Sequence, residues 1–211
     1  MTVEVNFVGF DRFAKLIRGA EAVADQAADL AVSESGRFAF RESSKEIREQ
    51  ANFSASYIGG EAAGGNRLKI QRGTRGGRAI VRILGRDRPT SLARFVQGNP
   101  AKGAPVRVQV KPGRQRTLQR AFLVKLRRGK TLTEDNFNQG LAIRLPKGAT
   151  LSQRRRLGVD GLPEIFPNVF LLYGPSVAQV FNTVSKDVTG RVGAKLESEF
   201  VRQFNRLLKA A

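Results

Sequence analysis

The charge of this chain is concentrated in its middle third. Residues 61–130 contain 19 Lys and Arg against 2 Asp and Glu, whereas the whole 211-residue chain has 37 against 18 and a net charge of +19. Cations at this density cannot be buried, so the middle third must keep them on a surface and build its core from the residues between them. A molecule polarised in this way is expected to lie against DNA, RNA or an acidic protein surface.

Parts of the basic region alternate apolar and polar residues with a period of two, which predicts half-buried strands. Valine alternates with Arg, Gln and Lys over residues 106–111, and a second alternation covers residues 78–83. Two further apolar runs, 122–126 and 141–145, also predict strands. We therefore expect an antiparallel basic sheet with valines on one face and cations on the other.

Glycine and proline mark the predicted loops and turns of the same region. Residues 66–77 consist mainly of Arg, Lys and Gly with little apolar content, which is typical of a surface loop. Turns are predicted at Pro112-Gly113 and near Arg128-Gly129. We expect a mobile Arg/Gly-rich loop over residues 66–77, whose backbone could follow a phosphate chain or another protein.

Helical periodicity occurs at both ends of the chain. From Phe10 to Ala31 apolar residues recur at spacings of three and four, and residues 37–52 again have helix-forming composition beyond Gly36, a candidate interruption. From Val180 to Leu208 every fourth residue is apolar, which predicts a helix of about 33 residues and about 50 Å. A helix of that length exceeds the needs of one domain, so we expect part of its stripe to contact a neighbouring subunit.

These patterns predict a single α+β domain over residues 1–211. A helical arm is expected over 1–55, the basic sheet and its loops over 56–150, an irregular connection over 151–174 and the long C-terminal helix over 175–211. At 41% apolar residues the chain has enough material for a core.

The apolar runs are too short for a membrane span. The longest, Val169–Tyr173, falls far below the roughly 20 residues that a spanning helix needs. The first ten residues also lack the basic and then apolar pattern of a secretory signal. We therefore expect a soluble protein made in the cytoplasm, with no membrane partner.

Residue composition argues against most enzyme chemistry. The chain has no Cys and no His, which removes thiolate nucleophiles, Cys-containing zinc sites and the commonest general base. Gly129-Lys130-Thr131 lacks the preceding glycine of a phosphate-binding loop, because position 124 is Val. We expect no enzymatic activity, no cofactor and no metal.

A metal-dependent nuclease would need two or three converging carboxylates. The region offers Glu61 and Asp87, with Glu134-Asp135 in a polar stretch that is more simply a loop. An enzyme remains the third hypothesis. Metal-dependent nicking of DNA that is lost on Glu134→Ala or Asp135→Ala would support it.

The candidate binding residues are arginines and one lysine. Eight bases meet one acid between Arg67 and Arg88, and three consecutive arginines occur later in the chain. Cations at this density predict contacts with phosphates or with an acidic surface, without base specificity. The predicted site residues are Arg67, Lys69, Arg72, Arg75, Arg78, Arg82, Arg86, Arg154, Arg155 and Arg156.

Several segments together resemble the minor tail protein Z family of long-tailed phages, the tail-completion proteins. They are the Ala-rich first helix, the basic middle, Ala121–Gly129 (AFLVKLRRG), Leu141–Arg144 (LAIR) and Leu172–Val177 (LYGPSV). The resemblance spans most of the chain, although each motif is short, and the acidic character of the first helix departs from the most basic family members.

The resemblance implies a structural virion protein that acts late in tail assembly at the head-proximal end of the tail. It also implies a homo-oligomeric ring, hexameric if it follows tail symmetry, with the tail terminator, the connector and the end of the packaged DNA as neighbours. The family has no catalytic signature to transfer. The implied location is the virion, after assembly in the host cytoplasm.

A second hypothesis belongs to another class, a stand-alone nucleic-acid-binding protein. It depends on the sequence pI of about 11.4 and on the basic segment. DNA affinity that falls steeply with salt would favour it.

Overall fold

The protein has a mixed α+β fold. A computed structural model describes residues 10–59, 67–127, 137–149, 151–156 and 160–210. Its helices are α1 (Phe10–Gln50), α2 (Ala55–Ile58), α3 (Leu151–Arg156) and α4 (Val177–Leu208), with a 3₁₀ helix at Leu92–Phe95. Its strands are β1 (Leu68–Arg75), β2 (Arg78–Gly85), β3 (Thr90–Ser91), β4 (Val106–Lys111), β5 (Arg114–Leu118), β6 (Ala121–Arg127), β7 (Phe137–Arg144), β8 (Glu164–Phe166) and β9 (Val169–Gly174). The predicted order of N-terminal helix, antiparallel strands and long C-terminal helix is confirmed.

The chain forms two compact units. The first unit combines α1 up to Glu42, the strand residues Lys69–Leu84 and α4 from Ser185 onward. The second unit combines Ser43–Leu68 with Gly85–Val184 and contains the larger sheet.

Gly36 lies within α1 and does not interrupt it, since the helix continues through 41 residues. A Cβ at Gly36 would lie 2.6 Å from Cγ1 of Val81, so the missing side chain allows β2 to pack directly on the helix. Asp29 adds a second contact, because its Oδ1 accepts a hydrogen bond from the backbone N–H of Ala79 at 3.1 Å. Gly36 is therefore a packing site for β2.

The prediction of a mobile loop over residues 66–77 is wrong for most of that segment. Residues 68–75 form β1, which pairs with β2 across a turn at Gly76-Gly77. Both glycines have positive φ, at 59° and 77°, as the tight turns that match strand twist require. The sequence does not indicate β1, because this strand is stabilised by pairing with the apolar β2 rather than by its own polar residues.

The predicted single basic sheet is divided into separate sheets. The largest, in the second unit, has the antiparallel order β3-β9-β7-β6, with β8 pairing to β9. A two-stranded sheet, β4-β5, places Val106 opposite Leu118. Sequence alternation did not indicate β5, whose residues Arg114–Thr117 are all exposed.

The core of the second unit forms where the predicted alternation holds. In β4, Val106 and Val108 are buried while Arg107 and Lys111 are exposed, as predicted. These valines join a buried cluster with Leu141, Ile143 and Phe170, among others. The predicted turn at Pro112-Gly113 links β4 to β5, whereas the turn predicted near Arg128-Gly129 lies outside the described residues.

The prediction of an irregular connection over residues 151–174 is also wrong. This segment contains α3, β8 and β9, and β9 lies between β3 and β7 in the sheet. Phe170 and Leu172 belong to one buried cluster, while Val169 and Leu171 belong to another on the alternate face. A strand that is buried on both faces is continuously apolar, so it lacks the alternation used to recognise strands.

The long C-terminal helix is confirmed as α4, with 32 residues. A reciprocal cap begins it: the N–H of Gln179 donates to Oγ of Ser176 at 3.0 Å, and the N–H of Ser176 donates to Oε1 of Gln179 at 2.9 Å. This Ser-x-x-Gln arrangement satisfies two backbone donors at the helix start. Within the described ranges, neither α4 nor any other helix has the length and apolar character needed to cross a membrane.

The four-residue apolar stripe of α4 drifts around the helix, by about 40° at each step. Val184 and Val188 are buried near its beginning, whereas Phe200 is 37% exposed and Leu208 52% exposed. Buried positions in the last turns are instead occupied by polar residues such as Glu199. The drift therefore leaves large apolar side chains on the surface of the first unit.

Candidate polyanion-binding surfaces

In the first unit, β1, the Gly76-Gly77 turn and β2 form what we call the basic hairpin. Arg78 and Arg82 share the face of β2 opposite Val81, the side chain that packs on Gly36. A Cβ at Gly73 would lie 3.9 Å from Cγ1 of Ile80, so the odd-numbered residues of β1 share the face of Ile80. One face of the basic hairpin therefore carries four predicted site residues: Lys69, Arg75, Arg78 and Arg82.

These four cations are exposed, and no acid among the described residues forms an ion pair with them. Within the described residues, the ion pairs of this unit involve other cations, such as Arg37 with Glu34 at 2.8 Å and Arg191 with Glu42 at 2.7 Å. Arg72, also a predicted site residue, lies on the alternate face of β1. This face of the basic hairpin thus presents charge that no described acid neutralises, on a strand that packs against Gly36 and Asp29.

In the second unit, the predicted residues Arg67 and Arg86 lie together. The backbone N–H of Arg86 donates to the carbonyl of Arg67 at 2.6 Å, and both side chains line an open cavity of about 490 Å³. Arg88 and Arg94 line the same cavity. We call this space the arginine cavity.

Sequence reasoning missed Arg94. Its position follows from the 3₁₀ helix, where Oγ of Ser91 accepts a hydrogen bond from the N–H of Ala93 at 3.3 Å. Burial lowers the pKa of the Arg94 guanidinium, and the neighbouring charge of Arg67 lowers it further, against an opposing effect of Tyr57. Arg94 lies outside the dense cation run, so only the fold reveals its proximity to Arg67.

The predicted arginines 154–156 are located on α3. Nε of Arg155 donates to Oδ2 of Asp160 at 3.3 Å, in an exposed ion pair that partly offsets its charge. The side chains of Arg154 and Arg156 lie outside the described part of the structure. None of the three lines the arginine cavity as described.

Most of the residues considered for enzyme chemistry lie outside the described part of the chain. Glu61, Glu134-Asp135 and Gly129–Thr131 lie outside the described residues. Asp87 is exposed. Across the described ranges, no group of three or more Asp or Glu is arranged to hold a metal ion.

Comparison with known proteins finds no matching family model, no matching curated protein and no matching solved structure. Of the segments that resemble the tail-completion family, the described part of Ala121–Gly129 lies on β6, Leu141–Arg144 lies on β7, and Leu172–Val177 spans the junction of β9 with α4. Strands β6, β7 and β9 are neighbours in one sheet. Function is therefore inferred from the geometry and charge of the basic hairpin and the arginine cavity.

Proposed function

We propose that the protein is a non-enzymatic structural component of a phage tail or neck, oligomeric in the particle, whose basic hairpin contacts DNA or an acidic neighbouring subunit. The observation that carries this proposal is the alignment of Lys69, Arg75, Arg78 and Arg82 on one face without acidic partners among the described residues.

Such a face attracts polyanions without reading their sequence. Each exposed cation that meets a phosphate releases a condensed counterion, so attraction grows with the number of contacts. Because the hairpin is fixed to α1 through Gly36 and Asp29, the backbone that carries these cations is already in place before the partner arrives. Little ordering entropy then opposes the contact.

The exposed end of α4 supports an oligomeric assembly. Leu196 and Phe200 are each 37% exposed and Val201 57%, and the rings of Phe200 and Phe204 stack with centroids 5.9 Å apart. Exposed apolar patches of this kind mark protein interfaces. A ring of identical chains requires heterologous contacts, for which this helix end is suited.

The phage setting depends on the segment resemblance. In that setting the protein completes the tail at its head-proximal end, as part of the virion, next to the tail terminator, the connector and the packaged DNA end. A ring of basic subunits would attract both an acidic tail surface and DNA without sequence specificity.

Electron microscopy of particles assembled without the protein tests this role. We expect tails that fail to join heads productively, with rescue by the wild-type chain. Rescue should be weaker with a variant in which Arg75, Arg78 and Arg82 are all changed to Ala. Normal infectious particles in the absence of the protein would refute the structural role.

A stand-alone nucleic-acid-binding protein is the second candidate, favoured by the same uncompensated hairpin. It predicts that the purified chain binds duplex DNA on its own, with an affinity that falls steeply as salt rises. If the purified chain shows no salt-sensitive retention on DNA, the cations serve contacts with acidic proteins instead.

A further inference from the structure

The arginine cavity of the second unit has the composition of an anion site. Four arginines line it, Arg67, Arg86, Arg88 and Arg94. Among the described residues, no Asp or Glu belongs to its lining. Cations gathered this closely repel one another unless an anion lies between them.

Tyr57 holds two of these cations in place. Its ring centre lies 4.0 Å from Cζ of Arg94 and 4.3 Å from Cζ of Arg67, distances typical of cation–π contacts. The ring is itself fixed, because it stacks on Phe53 at 5.5 Å and its hydroxyl lies 3.1 Å from Oγ1 of Thr90. The two guanidinium groups are therefore arranged in advance of any ligand.

One buried donor in this arrangement has no partner among the described residues. Nε of Arg67 is buried and makes no hydrogen bond to the described residues. Buried donors in proteins are nearly always satisfied, so this donor at the cavity is suited to an acceptor on a bound ligand. The pKa of Arg94 is lowered mainly by burial, and the nearby charge of Arg67 lowers it further.

The size of the cavity and its remaining lining define the ligand class. A volume of about 490 Å³ lies within the range of small-molecule sites and is far larger than a single phosphate needs. Guanidinium groups bind phosphate through paired N–H donors. Tyr173, 37% exposed, adds an accessible aromatic ring to the same lining.

We propose that the arginine cavity binds a nucleoside phosphate, with its phosphate on Arg67 and Arg94 and its base against Tyr173. A free nucleotide and the 5′-phosphorylated end of a nucleic-acid strand share this chemistry. The site consists of residues distinct from the basic hairpin, so it does not depend on the phage role proposed above.

The tyrosines provide a direct signal for binding. The chain has no Trp and its two tyrosines, Tyr57 and Tyr173, both line the cavity. Pyrophosphate bound beside these tyrosines should change their fluorescence in a saturable way. Because inorganic pyrophosphate does not absorb at the wavelength that excites tyrosine, the titration is free of absorption artefacts. Calorimetry with ADP, with a 5′-phosphorylated oligonucleotide and with its unphosphorylated form distinguishes the two sources.

Variants of the full chain assign the binding to this cavity. Arg94→Ala should weaken ADP and pyrophosphate by about tenfold or more, because it removes a paired donor, and Arg94→Lys should restore only part of the affinity. Tyr173→Leu should weaken ADP but not pyrophosphate. Arg114→Ala, which removes the same charge from an exposed position of β5, should leave both affinities unchanged.

Several outcomes would overturn the proposal. The first is the absence of any saturable signal with ADP or pyrophosphate at millimolar concentration. The second is equal weakening by Arg94→Ala and Arg114→Ala, and the third is Arg94-dependent binding of an acidic peptide without nucleotide binding. If Arg94→Ala fails to fold, Arg88→Ala replaces it, because Arg88 is exposed and should likewise weaken ADP. These results do not depend on whether the proposed role in a phage tail is correct.

Discussion

Val81 of β2 lies so close to Gly36 of α1 that a Cβ on the glycine would be 2.6 Å from Cγ1 of the valine. This contact joins the basic hairpin to the long first helix and fixes the direction in which Arg78 and Arg82 project. Gly36, which the sequence suggests as a helix break, therefore allows the basic hairpin to pack on α1.

Substitution of Gly36 by Ala should destabilise the protein. Alanine favours a helix by about 1 kcal/mol over glycine, but the forced displacement of Val81 should cost about 1–3 kcal/mol. Urea unfolding of Gly36→Ala should show a net loss. Gly19→Ala is the matched control in the same helix, since a Cβ there meets nothing within 4 Å, and it should stabilise by up to about 1 kcal/mol.

Truncation of Val81 should relieve the clash at Gly36. In a double-mutant cycle, Val81→Ala should be less destabilising in the Gly36→Ala background than in the wild type, because the removed methyl groups are the clashing atoms. A coupling energy of zero would show that the two residues do not constrain each other.

Substitution of Gly85 by Ala should destabilise the protein, and no side-chain truncation can relieve this clash. A Cβ at Gly85 would lie 2.7 Å from Cα of Ala178, which is backbone and cannot move aside by a rotamer change. We expect a loss of at least about 2 kcal/mol in urea unfolding. Gly73→Ala is the control, because its Cβ would make an ordinary contact at 3.9 Å; similar losses for both variants would contradict the close approach.

Stability at acidic pH should depend on the buried Glu199. Hydrogen bonds from Lys195 and Arg202, at 2.7 Å each, lower its pKa in the folded protein. A lowered folded-state pKa stabilises the fold above the unfolded value of about 4.3, and this contribution is lost as pH falls through the folded pKa.

The measurement is the free energy of unfolding across that pH range. The loss of stability between about pH 5 and pH 3 should be smaller in Glu199→Gln than in the wild type. Glu197→Gln, at an exposed neighbouring position, should keep the wild-type profile. Parallel profiles for the wild type and Glu199→Gln would contradict the role of the two hydrogen bonds.

The exposed end of α4 should control self-association. Phe200→Asp should lower the average mass of concentrated protein in analytical ultracentrifugation, because it places a charge within the exposed apolar stripe. Asn205→Asp introduces the same charge at another exposed position of α4 and should have little effect. A chain that remains monomeric at all concentrations would show that this stripe does not join identical subunits in isolation.

The sequence predicts the parts of the fold whose residues alternate or repeat. Strand β4 and helix α4 were predicted closely because one face of each is buried. The spacing of their apolar residues, every second residue in β4 and every fourth in α4, therefore indicates the element type. The apolar β9 and the polar β1 were missed for opposite reasons. The first is covered on both faces, and the second depends on pairing with β2.

The candidate site was predicted only in part. The density of cations predicted which residues of the basic hairpin are binding candidates, but it predicted a loop there and could not show that four of them share a face while Arg72 lies on the other. The arginine cavity was not predictable, because Arg94 joins Arg67 only through the position of Tyr57. Charge density along a chain does not report which guanidinium groups meet in space.

The most direct test of the central claim is the salt dependence of duplex DNA binding by the purified chain. Two variants with equal loss of charge are compared. In the hairpin variant Arg75, Arg78 and Arg82 are changed to Ala, and in the α4 variant Lys186 and Arg206 of α4 and Lys209 just after it are changed to Ala. The log–log slope should be about 0.9 shallower for each lost phosphate contact in the hairpin variant and nearly unchanged in the α4 variant. Equal slopes for the two variants would contradict the claim that the basic hairpin is the polyanion contact.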